Sequence, residues 1–240
     1  MTTDVRVAVL FGFGINCDRE TAAVFDMVGG ISERLHVNHL VQENRSLEEF
    51  DILAVPGGFS FGDHLGSGRL LGNRLRFALR DQLQKFVNSG KPIIGICNGF
   101  QILIEAGLLP GVLLRNKRLR FLSKDVYLNV ANTDNYFCLN YKEKKIIKLP
   151  IAHNEGNYFA KNELLKKLND KNLIAFKYCD ENGNINKDSN PNGSSDNIAG
   201  ILNSEKNILG MMPHPERMID EYLSGDDGSL FFENLLNNLN

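Results

Sequence analysis

The segment from Lys91 to Gly107 constrains the fold of this chain more than any other stretch. Its residues Ile93 to Ile96 are apolar and β-branched apart from one glycine, which is typical of a short strand buried on both faces. Gly95 and Gly99 flank Cys97, and an apolar helical pattern follows directly. The spacing therefore predicts that Cys97 lies at a sharp corner between a strand and a helix.

This Gly-x-Cys-x-Gly spacing is the thiol counterpart of the Gly-x-Ser-x-Gly nucleophile elbow. The two glycines let the strand and the helix approach closely, and the strained turn projects the side chain of Cys97. The helix N-terminus favours the thiolate form, and the backbone N–H of Asn98 is placed to stabilise an oxyanion. The alternative is that Cys97 is a small core residue, which is where most free cysteines lie.

Length and composition predict one α/β domain over residues 1–240, with a sizeable core. The formal net charge is −2, so no nucleic-acid or anionic-membrane partner is expected. The start of the chain carries no signal-peptide pattern, and no apolar run reaches membrane-spanning length. We therefore expect a cytoplasmic protein.

Cysteine spacing bears on disulfides and on metal binding. The four cysteines are far apart, and none is paired with another cysteine or a histidine at zinc-finger spacing. They are Cys17, Cys97, Cys138 and Cys179. Neither a disulfide framework nor a metal site is expected, which fits a reducing compartment.

Strand and helix patterns alternate up to Cys97. This alternation predicts an open, mostly parallel sheet with helices on both faces. The predicted strands are 5–11, 35–37, 51–55 and 91–96, and the predicted helices are 21–25, 47–50 and 72–88.

After Gly107 the pattern changes to successive short strands, which predict a small antiparallel extension. These strands are 112–115, 118–122, 126–130 and 136–139. A strand entering His153 and Asn154, an Asn-rich surface loop over 180–197, two strands at 198–202 and 208–212, and a helix at 230–239 follow. The basic cluster of Arg115, Lys117, Arg118 and Arg120 is interpreted as a solvated edge, with contact to an anionic partner as the alternative.

Two glycine-containing turns follow predicted strands. Gly12-Phe13-Gly14 lacks the third glycine of a dinucleotide-binding fingerprint, because Cys17 occupies that position, so a plain turn is preferred. Gly57 and Gly58 follow the strand 51–55, where backbone amides can approach a ligand without a Cβ in the way. A simple tight turn is the alternative there.

His214 and Glu216 follow the last predicted strand, within Pro213-His214-Pro215-Glu216. If the prolines hold this segment extended, the side chains at i and i+2 project to the same side, and the carboxylate can fix the imidazole tautomer. A Cys–His–Glu arrangement with Cys97 then requires the two strands to lie in the same sheet. A structural histidine beside a surface glutamate is the alternative.

Together, Gly95-Ile96-Cys97-Asn98-Gly99-Phe100-Gln101 and Pro213-His214-Pro215-Glu216 resemble the class I triad glutamine amidotransferases. A narrower resemblance is to the branch of that family that serves phosphoribosylformylglycinamidine synthase in purine biosynthesis. It is carried by five segments in the right order, at 14–20, 56–63, 153–158, 190–194 and 211–217.

The resemblance implies a flavodoxin-like amidotransferase domain and a set of residue roles. Cys97 would attack the glutamine amide, His214 would pass a proton to the departing ammonia, and Glu216 would orient His214. The oxyanion would be held by the N–H groups of the Gly57-Gly58 turn and of Asn98. The glutamine pocket would include Gln101, with His153 and Asn154 near it.

The resemblance also implies partners. Ammonia would pass to a large synthetase subunit that uses ATP and magnesium to convert formylglycinamide ribonucleotide into formylglycinamidine ribonucleotide, often with a small bridging third subunit. The chain carries no phosphate-binding Gly-x-x-x-x-Gly-Lys-Ser/Thr motif, so no cofactor of its own is expected.

Two other functions stay open at this point. One is an amidotransferase subunit that serves another acceptor, such as those of anthranilate, pyridoxal phosphate or guanylate synthesis. The other is a non-catalytic subunit that regulates a synthetase. Cys97, His214 and Glu216 are all present, which argues against the second.

Overall fold

A computed structural model describes residues 5–42, 45–63, 65–220 and 225–239. Its strands are β1 (Arg6–Phe11), β2 (Ile31–His36), β3 (Ile52–Val55), β4 (Ile93–Ile96), β5 (Val112–Leu114), β6 (Leu122–Val130), β7 (Ile146–His153), β8 (Asn157–Phe159), β9 (Ile174–Cys179), β10 (Ile198–Leu202) and β11 (Ile208–Met211). Its helices are α1 (Asp18–Met27), α2 (Val37–Val41), α3 (Arg69–Ala78), α4 (Arg80–Asn88), α5 (Asn98–Glu105), α6 (Asn162–Asp170) and α7 (Ser229–Asn237).

In this described part of the chain the main sheet has nine strands in the order β2-β1-β3-β4-β11-β10-β9-β6-β7. Neighbouring strands run parallel from β2 to β11 and antiparallel from β11 onwards. Strands β3, β4 and β11 are buried along their whole length, as expected for apolar strands covered on both faces. The predicted α/β fold is confirmed. Antiparallel strands extend the main sheet beyond β11, whereas β5, at the predicted strand 112–115, pairs with β8 in a separate two-stranded sheet.

Helices cover the sheet by burying their apolar sides. Helix α3 packs on α5, and α1 packs on α7, where Phe25 and Phe232 meet edge to face with ring centroids 5.0 Å apart. No helix among the described residues combines the length and the apolar character needed to cross a bilayer.

The strand predicted at 35–37 is β2, which ends at His36 because Val37 begins α2. Three further predicted elements differ in kind from the structure. The helix predicted over 72–88 is two helices, because the backbone leaves helical geometry at Leu79, where φ is −118° and ψ is 15°. The strand predicted at 118–122 is a turn up to Phe121, since the side chain of Asn116 closes it. The strand predicted at 136–139 is a turn that leads into a 3₁₀ helix at Leu139–Lys142.

Candidate active site at the ends of two adjacent strands

Strands β4 and β11 lie side by side and run in the same direction, with Ile96 paired to Met211. The N–H of Cys97 extends this pairing by donating to the Met211 carbonyl at 2.7 Å. The carboxyl ends of the two strands therefore deliver Cys97 and the segment around His214 to one edge of the sheet, where open α/β sheets bind ligands.

Cys97 forms a strained corner between β4 and α5. Its φ is +51° and its ψ is −105°, a conformation that costs a residue with a side chain about 1–3 kcal/mol. The close approach of strand and helix depends on glycine, because a Cβ at Gly99 would lie 1.8 Å from the Val55 carbonyl oxygen. At Gly95 it would lie 2.6 Å from Leu103 Cδ1. The elbow geometry expected from the spacing is therefore present.

Three side chains converge on the empty side of Gly57. A Cβ built there would lie 2.8 Å from His214 Cε1, 3.1 Å from Cys17 Sγ and 3.5 Å from Cys97 Cβ. The Cys97 thiol itself donates to the Ala152 carbonyl oxygen at 3.6 Å. Absence of a side chain at Gly57 is what allows an imidazole and two thiols to share this space.

His214 and Glu216 form a buried pair, with 2.6 Å between Nδ1 and Oε1. The extended conformation predicted for this segment is wrong, because Pro215–Arg217 forms a 3₁₀ turn in which the Arg217 N–H reaches the His214 carbonyl oxygen at 3.3 Å. Proline suits the first position of such a turn, since its N–H is not needed there. The turn still brings the carboxylate to Nδ1.

The surroundings of His214 favour its charged form. Burial lowers the pKa of His214, but the charges of Glu216 and Cys97 and the nearness of the Cys17 and Cys97 thiols outweigh burial and raise the pKa well above its usual value. The Nε2 atom makes no hydrogen bond with any of the described residues. The imidazole can therefore hold a proton beside the sulfur of Cys97.

Cys17 is a second thiol at this site, and no sequence pattern pointed to it. It lies at the N-terminus of α1, and Arg217 donates to its sulfur at 3.1 Å while also binding Glu20 at 2.8 Å. Burial, more than any other cause, raises the pKa of Cys17.

Cys17, His214 and Glu216 also place possible metal-ligand atoms within 4.8 Å of one another. The Arg217 guanidinium at the Cys17 sulfur opposes a cation there. The cluster is therefore better suited to holding the imidazole than to holding a metal ion.

The Gly57-Gly58 turn is tied to its neighbours on two sides. The Gly57 carbonyl accepts from the Cys17 N–H at 3.2 Å, and Gly58 forms a β-bridge with Ile15. On the other side, Asn98 Oδ1 accepts from the Ser60 N–H at 3.0 Å. The side chain of Asn98 is thus used for structure, and only its backbone N–H, at the first turn of α5, is available to an oxyanion.

A cavity of about 250 Å³ opens beside Cys97. Among the residues predicted to contact substrate, Gly58, Gln101, His153 and Asn154 line it, whereas Gly57 and Asn98 do not. The cavity is small for a ligand pocket, which suits a ligand of amino-acid size.

Three charged residues also line the cavity. Asp63, Glu155 and Arg115 lie in its wall, with 3.7 Å between Arg115 Nε and Glu155 Oε1. Gln101 Nε2 donates to the Glu155 carbonyl oxygen at 2.6 Å and so positions that segment. Burial, with a further contribution from Glu155, raises the pKa of Asp63. Two carboxylates and one guanidinium therefore face a space beside the nucleophile candidate.

His153 is held in one tautomer by Asn116. The Asn116 amide nitrogen donates to the carbonyl oxygens of Arg120 and His153, both at 2.9 Å, so its Oδ1 faces the Gly156 N–H and His153 Nδ1, both at 3.1 Å. Because Oδ1 only accepts, His153 Nδ1 carries the hydrogen and Nε2 carries a lone pair. Burial, and then the charge of His214, lower the pKa of His153 to about 3. His153 is thus a neutral acceptor in the cavity wall.

This low pKa predicts acid sensitivity. The unfolded chain takes up a proton at His153 near pH 6.5 and the folded chain does not, so the contribution of His153 to stability is complete above pH 6.5 and falls as the pH drops towards 3. Between pH 6.5 and 5 the wild-type chain is expected to lose about 2 kcal/mol of unfolding free energy because of His153. The His153→Gln variant is expected to lack this part of the loss. Denaturant unfolding of both proteins across this range measures the difference. Equal slopes against pH would contradict it.

Comparison with known proteins agrees with this geometry. Residues 4–225 match the family described as the CobB/CobQ-like glutamine amidotransferase domain. The chain belongs to this family of glutamine amidotransferases.

A curated relative narrows the match to one branch of this family. The chain is 49% identical over 227 residues to phosphoribosylformylglycinamidine synthase subunit PurQ of Pelagibacter ubique (strain HTCC1062), covering 94% of this chain and 96% of the relative. Within the family, the chain belongs with the PurQ glutaminase subunits.

Among solved structures, it matches a chain of PurLQS from Thermotoga maritima with a TM-score of 0.84 and 33% identity, over 99% of this chain and 100% of that chain. The glutaminase domain of Trypanosoma brucei CTPS, with bound acivicin, matches with a TM-score of 0.60 and 14% identity over 98% and 94% of the two chains, which shows a shared fold alone.

Proposed function

We propose that this chain hydrolyses glutamine with Cys97 as nucleophile and His214 and Glu216 as the proton-transfer pair. The ammonia passes to a PurL-type synthetase in purine biosynthesis. The observation that carries the proposal is the parallel pairing of β4 with β11, which sets a strained thiol and a buried imidazole–carboxylate pair at the same sheet edge. The similarity to PurQ supplies the reaction and the partner.

The first chemical step is attack on the side-chain amide. The sulfur of Cys97 bonds to the amide carbon, and the resulting oxyanion accepts from the N–H groups of Asn98 and Gly58. His214 gives its proton to the nitrogen, the carbon–nitrogen bond breaks, and ammonia leaves a γ-glutamyl thioester. Glu216 keeps Nδ1 protonated, so that Nε2 is the atom that exchanges the proton.

The second step regenerates the enzyme. Water attacks the thioester, and His214 Nε2 accepts the proton that the water loses. The carbon–sulfur bond breaks, glutamate leaves, and the Cys97 sulfur is free for another cycle.

Cavity charges match the two charged ends of glutamine. Asp63 and Glu155 bind the α-ammonium group, which relieves the repulsion that contributes to the raised pKa of Asp63. Arg115 binds the α-carboxylate, a planar group that suits a guanidinium. This arrangement leaves the side-chain amide directed at Cys97.

The synthetase partner carries ATP and magnesium and makes formylglycinamidine ribonucleotide from formylglycinamide ribonucleotide, and a small third subunit bridges the two chains. The name PurLQS given to the Thermotoga maritima structure supports an assembly of this kind.

Affinity labelling tests the nucleophile. The glutamine analogue 6-diazo-5-oxo-L-norleucine is expected to label Cys97 alone among the four thiols, and glutamine is expected to slow the labelling. Peptide mass spectrometry of the complex with its synthetase locates the adduct. Cys17 makes the result discriminating, because it is a second thiol on the same side of Gly57 as Cys97. An adduct on Cys17, or one spread over several cysteines, would contradict the proposal.

A further inference from the structure

The loop between β5 and β6 exposes an unusual combination of side chains. Its tip, residues 117–121, reads Lys-Arg-Leu-Arg-Phe. Leu119 is 71% exposed and Phe121 is 50% exposed. The basic side chains of the tip make no ion pair with any residue in the described ranges. Because these apolar side chains are exposed beside unpaired cations, they do not contribute to the folding stability of this chain.

The tip is nevertheless held in one shape. Leu119 has a φ of +52°, which is unfavourable for a branched side chain and costs about 1–3 kcal/mol. The Leu119 N–H donates to the Asn116 carbonyl at 2.8 Å, and the Asn116 side chain holds the Arg120 carbonyl at 2.9 Å. The Lys117 N–H donates to the Asn192 carbonyl at 2.8 Å. These hydrogen bonds hold a strained turn that leaves the side chain of Leu119 exposed.

This tip lies at the rim of the glutamine cavity. Arg115, at its base, lines the cavity and lies 3.7 Å from Glu155. Asn116, which is buried, binds both the backbone and the ring of His153 in the cavity wall. A protein that covers the mouth of the cavity meets the tip.

We propose that residues 117–121 are a docking element for the synthetase subunit, with Leu119 entering an apolar socket in an acidic surface of that partner. The inference rests on the proposed function, because ammonia passed between two proteins must be kept from solvent, and this requires the partner to surround the cavity mouth. Preformed shape lowers the ordering cost of docking, and the unpaired cations select an acidic surface.

Two variants test the tip without touching the cavity. Leu119→Gly removes the side chain and also relieves the positive φ, so the fold is expected to be retained. Arg118→Glu with Arg120→Glu reverses the local charge. We expect Leu119→Gly to raise the Kd for the synthetase subunit about 10- to 100-fold and the charge reversal to raise it about tenfold or more. Wild-type affinity is expected to fall with added salt, and that of the charge-reversed variant to fall less.

A second exposed patch provides the control. Arg76, Phe77 and Arg80 on α3 and α4 are also basic and apolar, and none of them lines the cavity. Arg76→Glu with Phe77→Ala and Arg80→Glu is expected to leave the Kd unchanged. Calorimetry with the purified synthetase and its small subunit measures all of these affinities.

The outcomes separate this inference from the proposed function. Labelling of Cys97 by the diazo analogue in the isolated tip variants, at the wild-type rate, shows that the site is intact. If such variants bind the synthetase as tightly as the wild type, or if the tip variants change only self-association of the isolated chain or binding to RNA, the docking inference is overturned. Failure of Cys97 labelling in the wild-type complex with the synthetase would instead overturn the proposed function.

Discussion

Cys97→Ala is expected to lower glutamine-dependent turnover by at least about 10⁴-fold, because it removes the atom that bonds to the substrate carbon. Ammonia-dependent turnover by the complex is expected to continue, since added ammonia bypasses the thioester. The side chain is small and almost fully buried, so the alanine fits the same space. Parallel assays of the reconstituted complex with glutamine and with ammonium chloride measure both rates.

Cys179→Ala is the matched control for this substitution. Cys179 is also a buried free cysteine, but it lies in β9, away from the cavity. It is expected to retain glutamine-dependent turnover. Loss of both rates in Cys97→Ala would assign the residue a structural role, and retained glutamine turnover would exclude it as the nucleophile.

Gly99→Ala is expected to destabilise the fold by at least about 3 kcal/mol, which is a large part of the total stability of a typical domain. The new Cβ would lie 1.8 Å from the Val55 carbonyl oxygen and 2.7 Å from the Val55 carbonyl carbon. Both are backbone atoms of Val55, the last residue of β3, so no side-chain rotation can remove the clash. Helix α5 therefore has to move away from the sheet. Denaturant unfolding measures the loss.

Gly107→Ala is the control, just past the C-terminal end of the same helix. A Cβ there meets nothing within 4 Å, although φ is +78°. Only the left-handed conformation is penalised, so the expected loss is about 1 kcal/mol. An equal loss of unfolding free energy in the two variants would show that the close contact between α5 and β3 is not the reason that glycine is needed at position 99.

Sequence patterns were informative where backbone conformation depends on neighbouring residues. The apolar run before Cys97 and the glycines around it predicted the buried strand and the corner, because burial and the close approach of strand and helix restrict which residues fit there. They failed at 118–122, where Asn116, rather than strand pairing, sets the turn through its side chain. The β propensity of a residue does not distinguish a strand-forming residue exposed at the tip of a loop from one that lies in a sheet.

The extended segment predicted around His214 illustrates a different limit. Prolines restrict φ but allow both an extended chain and the first turn of a 3₁₀ helix, and contacts to β7 select between them. The His214 N–H donates to the Pro150 carbonyl at 2.9 Å, an interaction across distant parts of the chain. That Glu216 orients His214 stays a proposal. In that proposal Glu216 acts from within a 3₁₀ turn, not from an extended segment.

The spacing of neighbouring residues was enough to predict the alternation of strands and helices and the strained corner at Cys97, and short motifs along the chain were enough to predict the family. Which distant side chains meet became known from the folded structure. Arg217 reaches the sulfur of Cys17 across 200 positions, and Asn116 fixes the ring of His153 across 37. Such contacts depend on the order of strands in the sheet and on the packing of the loops that follow them, and no local periodicity records either.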